Sequence, residues 1–423
     1  MRRDDAGACT SRRYNRRGFQ RLRLLLNPRL TALKPYPFER LRALVSSVAA
    51  NPAKRPINLS IGEPRHPTPL LVLDALSAGA KTGLAHYPTT NGPLELREAV
   101  ARWLRARHGL ASLDPATQVL PVLGSREALF SFAQSVIDGS RPRATVVVPN
   151  PFYQIYEGAA LLAGAETHCV NADPDRGFAH RWRDVPDAVW ERTQLVYVCS
   201  PDNPTGRVLD RDGWRLLFDR SDRYGFVIAS DECYSEIYFD EARPPLGALA
   251  AAHAFGRDDF TRLVVFGSLS KRSNAPGLRS GYVAGNAELI KAFLLYRTYH
   301  GSAMSPAVVA ASVAAWNDEE HVRANRALYA AKFSALQPRL APTLPCAMPD
   351  AAFYLWASTP IDDTTFTQRL LAEENVTVLP GSFLGRDVDG ANPGRNRIRI
   401  ALVASESECA EGIDRIIAFA RRL

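Results

Sequence analysis

The stretch SLSKRSNAPGLRSGYVAG, residues 268–285, sets Lys271 among serines and glycines directly after the apolar run RLVVFG. An ammonium is costly to bury unless it is paired or chemically used. Lys271 is therefore either a solvated loop cation or a nucleophile able to form an imine with an aldehyde. Asp231 closes the apolar run FVIAS, where an unpaired carboxylate would be expensive and a protonated ring nitrogen would supply the matching charge. Asn203, within SPDNPTG, and Tyr234, three residues past Asp231, can both donate to one ring oxygen, with Pro204 and Gly206 shaping the turn. Tyr153, in NPFYQIY, offers a face for a flat ring. GSREALF puts Gly124 and Ser125 at a helix start, where free N–H groups and the helix dipole favour phosphate. Ser268, Ser270 and Arg279 flank Lys271 and complete such an anion site. Singly, each has a plain reading: a turn, a solvated lysine, a helix cap, a packed tyrosine.

The elements that must position these groups are legible. ATVVV (144–148), LVYVC (195–199), FVIAS (226–230) and RLVVF (262–266) are apolar throughout rather than alternating. That is the pattern of strands buried on both faces of a parallel sheet. Helical stretches lie between and around them, at 94–108, 126–137 and 211–225. Strand and helix in alternation predict an α/β fold: a mostly parallel, seven-stranded-type sheet with helices on both faces. NPFY, SPDNPTG, DECY and GSLSK each follow a run, at the carboxyl ends of strands where open sheets bind ligands. Beyond about residue 300 the pattern shifts to helices and short alternating runs, FYLWAS (353–358) and RIRIAL (397–402). The predicted organisation is a basic leader at 1–26, a segment at 27–65 packing with the small domain, a large cofactor-binding domain at 66–300, and a small α+β domain at 301–423. With all the chemical groups at strand ends of one sheet, ring, ring nitrogen, phenolic oxygen, phosphate and aldehyde each find a partner. The set predicts pyridoxal 5'-phosphate.

Composition narrows the function classes. The net charge of +8 comes mostly from residues 1–26, which hold eight arginines and two aspartates; the remaining 397 residues carry only +2. A near-neutral body predicts no nucleic-acid groove. There is no apolar run of membrane-spanning length, and the leader has neither the apolar core nor the cleavage site of a signal peptide. The leader is expected to be a disordered tail, or to precede a translation start at Leu26. Six scattered cysteines without C-x-x-C spacing predict free thiols in a reducing cytoplasm and no metal site.

SIGEP, YPTTNGPLELREAVARWL, SPDNPTG, SDECYSEIYF, SLSKRSNAPGLRSGYVAG and NRIRIAL stand in the order of the motifs of the class I/II aminotransferases of fold type I, and the chain from about Leu26 to Leu423 resembles that family. The resemblance implies that Lys271 is the Schiff-base lysine, Asp231 the pyridinium partner, Asn203 and Tyr234 the partners of the phenolic oxygen, and Tyr153 the stacking ring. It places Ser125, Arg126, Ser268 and Arg279 at the phosphate. Tyr87 of HYPTTNG would reach the phosphate of a neighbouring subunit, which implies a homodimer with shared sites. Arg399 would bind the substrate α-carboxylate beside Gly62. Arg397 lies two residues away, on the same face of an alternating strand, and stays an alternative. LNPRLTALKPYPFERLRAL, INLSIGEPRHPTP and the Lys271 stretch further resemble succinyldiaminopimelate aminotransferases of bacterial lysine biosynthesis. This implies glutamate as donor and N-succinyl-2-amino-6-ketopimelate as acceptor. Both carry an extra carboxylate, for which Arg65 is a candidate. The rival expectations are an aspartate, alanine or aromatic aminotransferase, a C–S lyase or a cyclopropane-forming synthase on the same scaffold. A cofactor-sensing regulator would need a DNA-binding domain larger than the leader.

Overall fold

The computed structural model describes residues 27–423, so the leader and what was expected of it lie outside the described residues. Residues 27–34 contain one short turn of 3-10 helix, Pro28–Ala32, capped where Asn27 Oδ1 accepts the Arg29 N–H at 3.0 Å.

The strands are β1 (Ile57–Asn58), β2 (Val119–Val122), β3 (Thr145–Asn150), β4 (Glu166–Asp173), β5 (Ala179–His180), β6 (Thr193–Cys199), β7 (Val227–Asp231), β8 (Leu263–Ser268), β9 (Gly281–Gly285), β10 (Tyr354–Ser358), β11 (Val376–Thr377), β12 (Leu379–Pro380) and β13 (Arg397–Ala401). The large sheet has the order β2-β9-β8-β7-β6-β3-β4-β5. The run from β8 to β4 is parallel, while β9 is antiparallel to both its neighbours and β5 to β4. The sheet thus has eight strands rather than seven. The chain turns back after β4 through Gly177, at φ +59°, and lays two residues of β5 along the edge.

Burial on both faces explains the unbroken apolar runs. On β6, Leu195 and Tyr197 pack with Phe132 and Phe266 on one side, and Val196 and Val198 with Trp190 and Trp214 on the other. The helix Leu94–His108 buries Leu96, Val100, Trp103 and Leu104 on the second side and stops at Gly109, at φ +64°. Met304, Ala311, Ala315 and Trp316 join that core too, so the change of core comes after residue 316. A separate core is built on the antiparallel sheet β10-β13-β12 and the helices Glu320–Leu340, Asp363–Glu374 and Glu406–Ala420, and it takes in Ile57 and Leu59. No helix among the described residues is long and apolar enough to cross a membrane.

Phe266, wholly buried on β8 and edge-to-face with Phe132 at 5.5 Å, supports the strand that ends in Ser268. Phe266→Ala is expected to lower unfolding stability by about 3–5 kcal/mol in a denaturant titration, the range for emptying an aromatic core position.

Candidate active site

Three parallel strands deliver their carboxyl ends to one place. β6 runs into the SPDNPTG turn, β7 ends at Asp231, and β8 ends at Ser268 with Lys271 one turn further, in the short helix Leu269–Arg272. The cavity there, of about 570 Å³, is lined by Ser125, Arg126, Tyr153, Asn203, Asp231, Tyr234, Ser268, Ser270, Lys271, Arg279, Gly62 and Arg399. Of the residues singled out in the sequence as site candidates, Tyr87, Arg65 and Arg397 do not line it. Tyr87 is fully exposed, and Arg65 is engaged outside the cavity with Glu408 at 3.0 Å. Arg397 donates to Ser358 Oγ at 2.9 Å and lies over the Phe178 ring, lining a different cavity.

Lys271 Nζ donates to the Gly62 carbonyl at 2.9 Å. Burial pushes its amine down to about 8; Cys233 and Glu63 oppose the shift, while Arg399 and Arg126 add to it. Gly62 is required there, since a Cβ at that position would lie 1.9 Å from the Tyr354 hydroxyl oxygen. Asp231 is 4% exposed and forms no ion pair with any described residue. Its Oδ2 accepts from the Tyr156 hydroxyl at 2.7 Å and its Oδ1 from the Cys233 N–H at 3.3 Å. Burial raises the Asp231 pKa, against those hydrogen bonds and the pull of Lys271.

The helix Ser125–Val136 begins beside Lys271, with Gly124 at its N-cap at φ +84°. A Cβ on Gly124 would come within 2.5 Å of the Arg279 guanidinium, so the two approach closely at the helix start. Arg279 bonds only main-chain carbonyls, those of Pro276 and Leu123, and finds no carboxylate among the described residues. Ser268 Oγ accepts from the Ser270 N–H, and the Cys233 thiol donates to Ser125 Oγ at 2.8 Å. Arg126 turns its side chain elsewhere: its Nε donates to the Tyr153 hydroxyl at 2.5 Å, with the guanidinium near the Tyr36 and Tyr153 rings.

Arg399 is 3% exposed and also lacks a carboxylate partner among the described residues. It donates to Asn203 Oδ1 at 2.9 Å and to the Ser60 carbonyl at 2.8 Å, and stacks over Tyr354. Tyr234 pairs with the Tyr354 hydroxyl at 2.9 Å. Tyr156 and Tyr354 are site residues that sequence reasoning passed over. The first shows only as an aromatic three residues beyond Tyr153; the second lies inside a strand pattern with nothing to mark its hydroxyl.

The donor set fits one kind of guest. A buried carboxylate without a cation, an arginine without an anion at a helix start, and an amine with a lowered pKa ask for a ring bearing a protonated nitrogen, a phosphate and an aldehyde. The family profile for class I and II aminotransferases matches residues 54–416, and the chain belongs to that family. Pyridoxal phosphate is that family's cofactor. The chain is similar to a solved aminotransferase from Neisseria meningitidis (51% identity, TM-score 0.90, covering 94% of this chain and 100% of that one). It is also similar to aminotransferase AspB from Helicobacter pylori (32%, TM-score 0.85, covering 92% and 100%). LL-diaminopimelate aminotransferase of Nitratidesulfovibrio vulgaris strain DP4 is 32% identical over 396 residues, 92% of this chain and 98% of that protein.

A lysine depressed from 10.5 to about 8 costs the cofactor-free fold stability. Below pH 8 the unfolded chain holds its proton at no cost, while the folded chain must bury an ammonium or release the proton; the penalty is full there and fades between 8 and 10.5. Cofactor-free Lys271→Met is therefore expected to melt higher than the cofactor-free parent at pH 7. The gap should shrink as pH rises through that window in paired thermal scans.

Proposed function

We propose that this aminotransferase moves an amino group between glutamate and N-succinyl-2-amino-6-ketopimelate in a ping-pong cycle. The observation that carries the reading is a pair of arginines, Arg399 and Arg126, on the one cavity that holds Lys271, neither engaged by a carboxylate of the described residues. Glutamate brings two carboxylates and the acceptor three, so each carries at least one beyond the α-carboxylate assigned to Arg399.

Lys271 is assigned to the cofactor aldehyde and Asp231 to the ring nitrogen. Asn203 and Tyr234 are assigned to the phenolic oxygen, and Tyr153 to the ring face. Ser125, Ser268, Ser270, Arg279 and the helix-start N–H groups, including that of Arg126, are assigned to the phosphate. When bound, the cofactor supplies an electron sink for the carbanion left by loss of the substrate Cα proton. Asp231 keeps the ring nitrogen protonated, which its burial without another cation favours. Arg399 grips the α-carboxylate through a charge-assisted pair, beside Gly62. Lys271, brought near neutrality by burial, takes the Cα proton and returns it on the other side of the exchange. Arg126, which lines the cavity and donates to Tyr153, is assigned to the distal carboxylate in place of Arg65, which pairs with Glu408 and does not line the cavity.

A second reading has support of its own: relatives named LL-diaminopimelate aminotransferase are 30–32% identical to this chain, which favours the unsuccinylated diamino acid. With 2-oxoglutarate as acceptor, the succinylated donor is expected to exceed free LL-diaminopimelate, aspartate, alanine and phenylalanine in kcat/KM. Pyruvate and ammonia released without a keto acid would instead mark a lyase. Arg126→Gln is expected to lower kcat/KM for dicarboxylic donors by about tenfold to a hundredfold, the worth of one charged hydrogen bond, while sparing alanine. Lys271→Ala should abolish turnover.

We also assign Tyr87 to the phosphate of a second subunit's site. Its complete exposure, with Leu70, Leu84 and Tyr299 also exposed, supports a covered face. The expected results are a dimer in sedimentation and several-fold weaker cofactor retention in Tyr87→Phe with the dimer intact.

A further inference from the structure

Behind Lys271 runs a directional chain of hydrogen bonds that the site chemistry does not use. Lys332 is 2% exposed on the helix Glu320–Leu340, and no carboxylate pairs with it among the described residues. Its Nζ donates to the Ala404 carbonyl at 2.8 Å and to His66 Nε2 at 2.9 Å. His66 Nδ1 meets Asn325 Oδ1 at 2.8 Å. Asn325 Nδ2 donates to the main-chain carbonyl of Lys271 at 3.3 Å, and Asn325 Oδ1 also accepts from Asn274 Nδ2 at 2.9 Å. An ammonium can only donate, so His66 Nε2 must accept, and Nδ1 must carry the proton given to Asn325. Each link fixes the next, and the last holds the residue that carries the chemistry.

The loop that supplies His66 also supplies Gly62, whose carbonyl holds the Lys271 amine. Lys271 is thus gripped at both ends: at Nζ by the loop directly, and at its carbonyl by Asn325, which the same loop orients through His66. Thr68 Oγ1 adds a bond to the Asn274 carbonyl at 2.7 Å. Helix Glu320–Leu340, which carries Asn325 and Lys332, packs into the second core, so the grip spans both cores. A purely structural network would need no common loop for both grips and no cation at its head. Burial lowers the His66 pKa and so favours its neutral ring; it also draws Lys332 down to about 8, which still leaves that side chain an ammonium at pH 7. Glu406 and Cys409, from the helix Glu406–Ala420, are the acidic groups that face Lys332, and Asn325 and the Tyr329 ring complete the surroundings of His66.

We infer that Lys332, His66 and Asn325 are positioning residues that hold Lys271 at a fixed reach from the cofactor aldehyde, with His66 locked as the Nδ1–H neutral tautomer. The inference rests on the assignment of Lys271 made above.

The test uses holoenzyme and follows the pH midpoint of the bound cofactor's visible absorbance change, with melting temperature and steady-state kinetics alongside. His66→Leu cuts both links, whereas His66→Asn keeps a donor where Nδ1–H stood. Lys332→Met keeps the packed stem and removes the head of the chain. The expected result is a midpoint moved by about half a pH unit or more and a kcat about tenfold lower in His66→Leu and Lys332→Met, with KM little changed. His66→Asn should recover most of both. Midpoint and kcat unchanged in Lys332→Met and His66→Leu, whatever the melting temperature does, would overturn the inference. Equal losses in His66→Asn and His66→Leu would do the same. If His66→Leu does not fold, Lys332→Met decides alone. Should the parent's absorbance change survive in Lys271→Ala, the assignment of Lys271 falls, and the inference with it.

Discussion

The burial of one amine organises this structure. Lys271 Nζ sits at 2.9 Å from the Gly62 carbonyl and forms no ion pair among the described residues, so burial draws its proton affinity toward neutrality against the weaker pull of Cys233 and Glu63. That state suits the imine-forming and proton-carrying roles proposed for this lysine. Its cost is borne by the rest of the fold: two cores supply the stability that leaves room for a destabilised lysine.

The surroundings follow from the same economy of charge. Asp231, Arg279 and Arg399 are each left without an ionic partner among the described residues, in a protein where many other arginines pair with acids. Charges left open around one cavity form an electrostatic mould: anion-seeking at the helix start, cation-seeking at the end of β7, anion-seeking again at β13. The carboxyl ends of parallel strands are the natural place for such a mould. Strand registers there bring main-chain turns together while the side chains between them are free to face a guest.

Much of this was legible along the chain because the parallel strands are apolar on both faces and each ends in a conspicuous polar motif. Asp231, Asn203, Ser268 and Lys271 could be picked out without coordinates, since a charged or polar residue at the end of an apolar run is conspicuous by itself. β5 could not, because two residues folded back through Gly177 leave no periodic trace. Tyr156 and Tyr354 were illegible for another reason. Their hydroxyls act on partners 75 and 120 residues away, and a tyrosine in an apolar helix or strand reads as packing until its partner is seen. Arg65 follows SIGEP in sequence, yet it pairs with Glu408 of the helix Glu406–Ala420 and does not line the cavity.

Residue types and their order along the chain determined the strand-and-helix alternation, the lysine proposed as reactive and the class of cofactor. Those rest on local chemistry: which side chains tolerate burial, which turns need proline and glycine, which strand ends carry charge. Only the tertiary structure showed which of Arg397 and Arg399 lines the cavity that holds Lys271. Alternation places both on one face of β13, yet Arg397 lies over Phe178 while Arg399 lies beside Asn203. It alone also joined His66 to Asn325 across 259 residues, behind Lys271. Pairings of that kind are set by how two separate cores meet, and distance along a chain carries no information about that meeting.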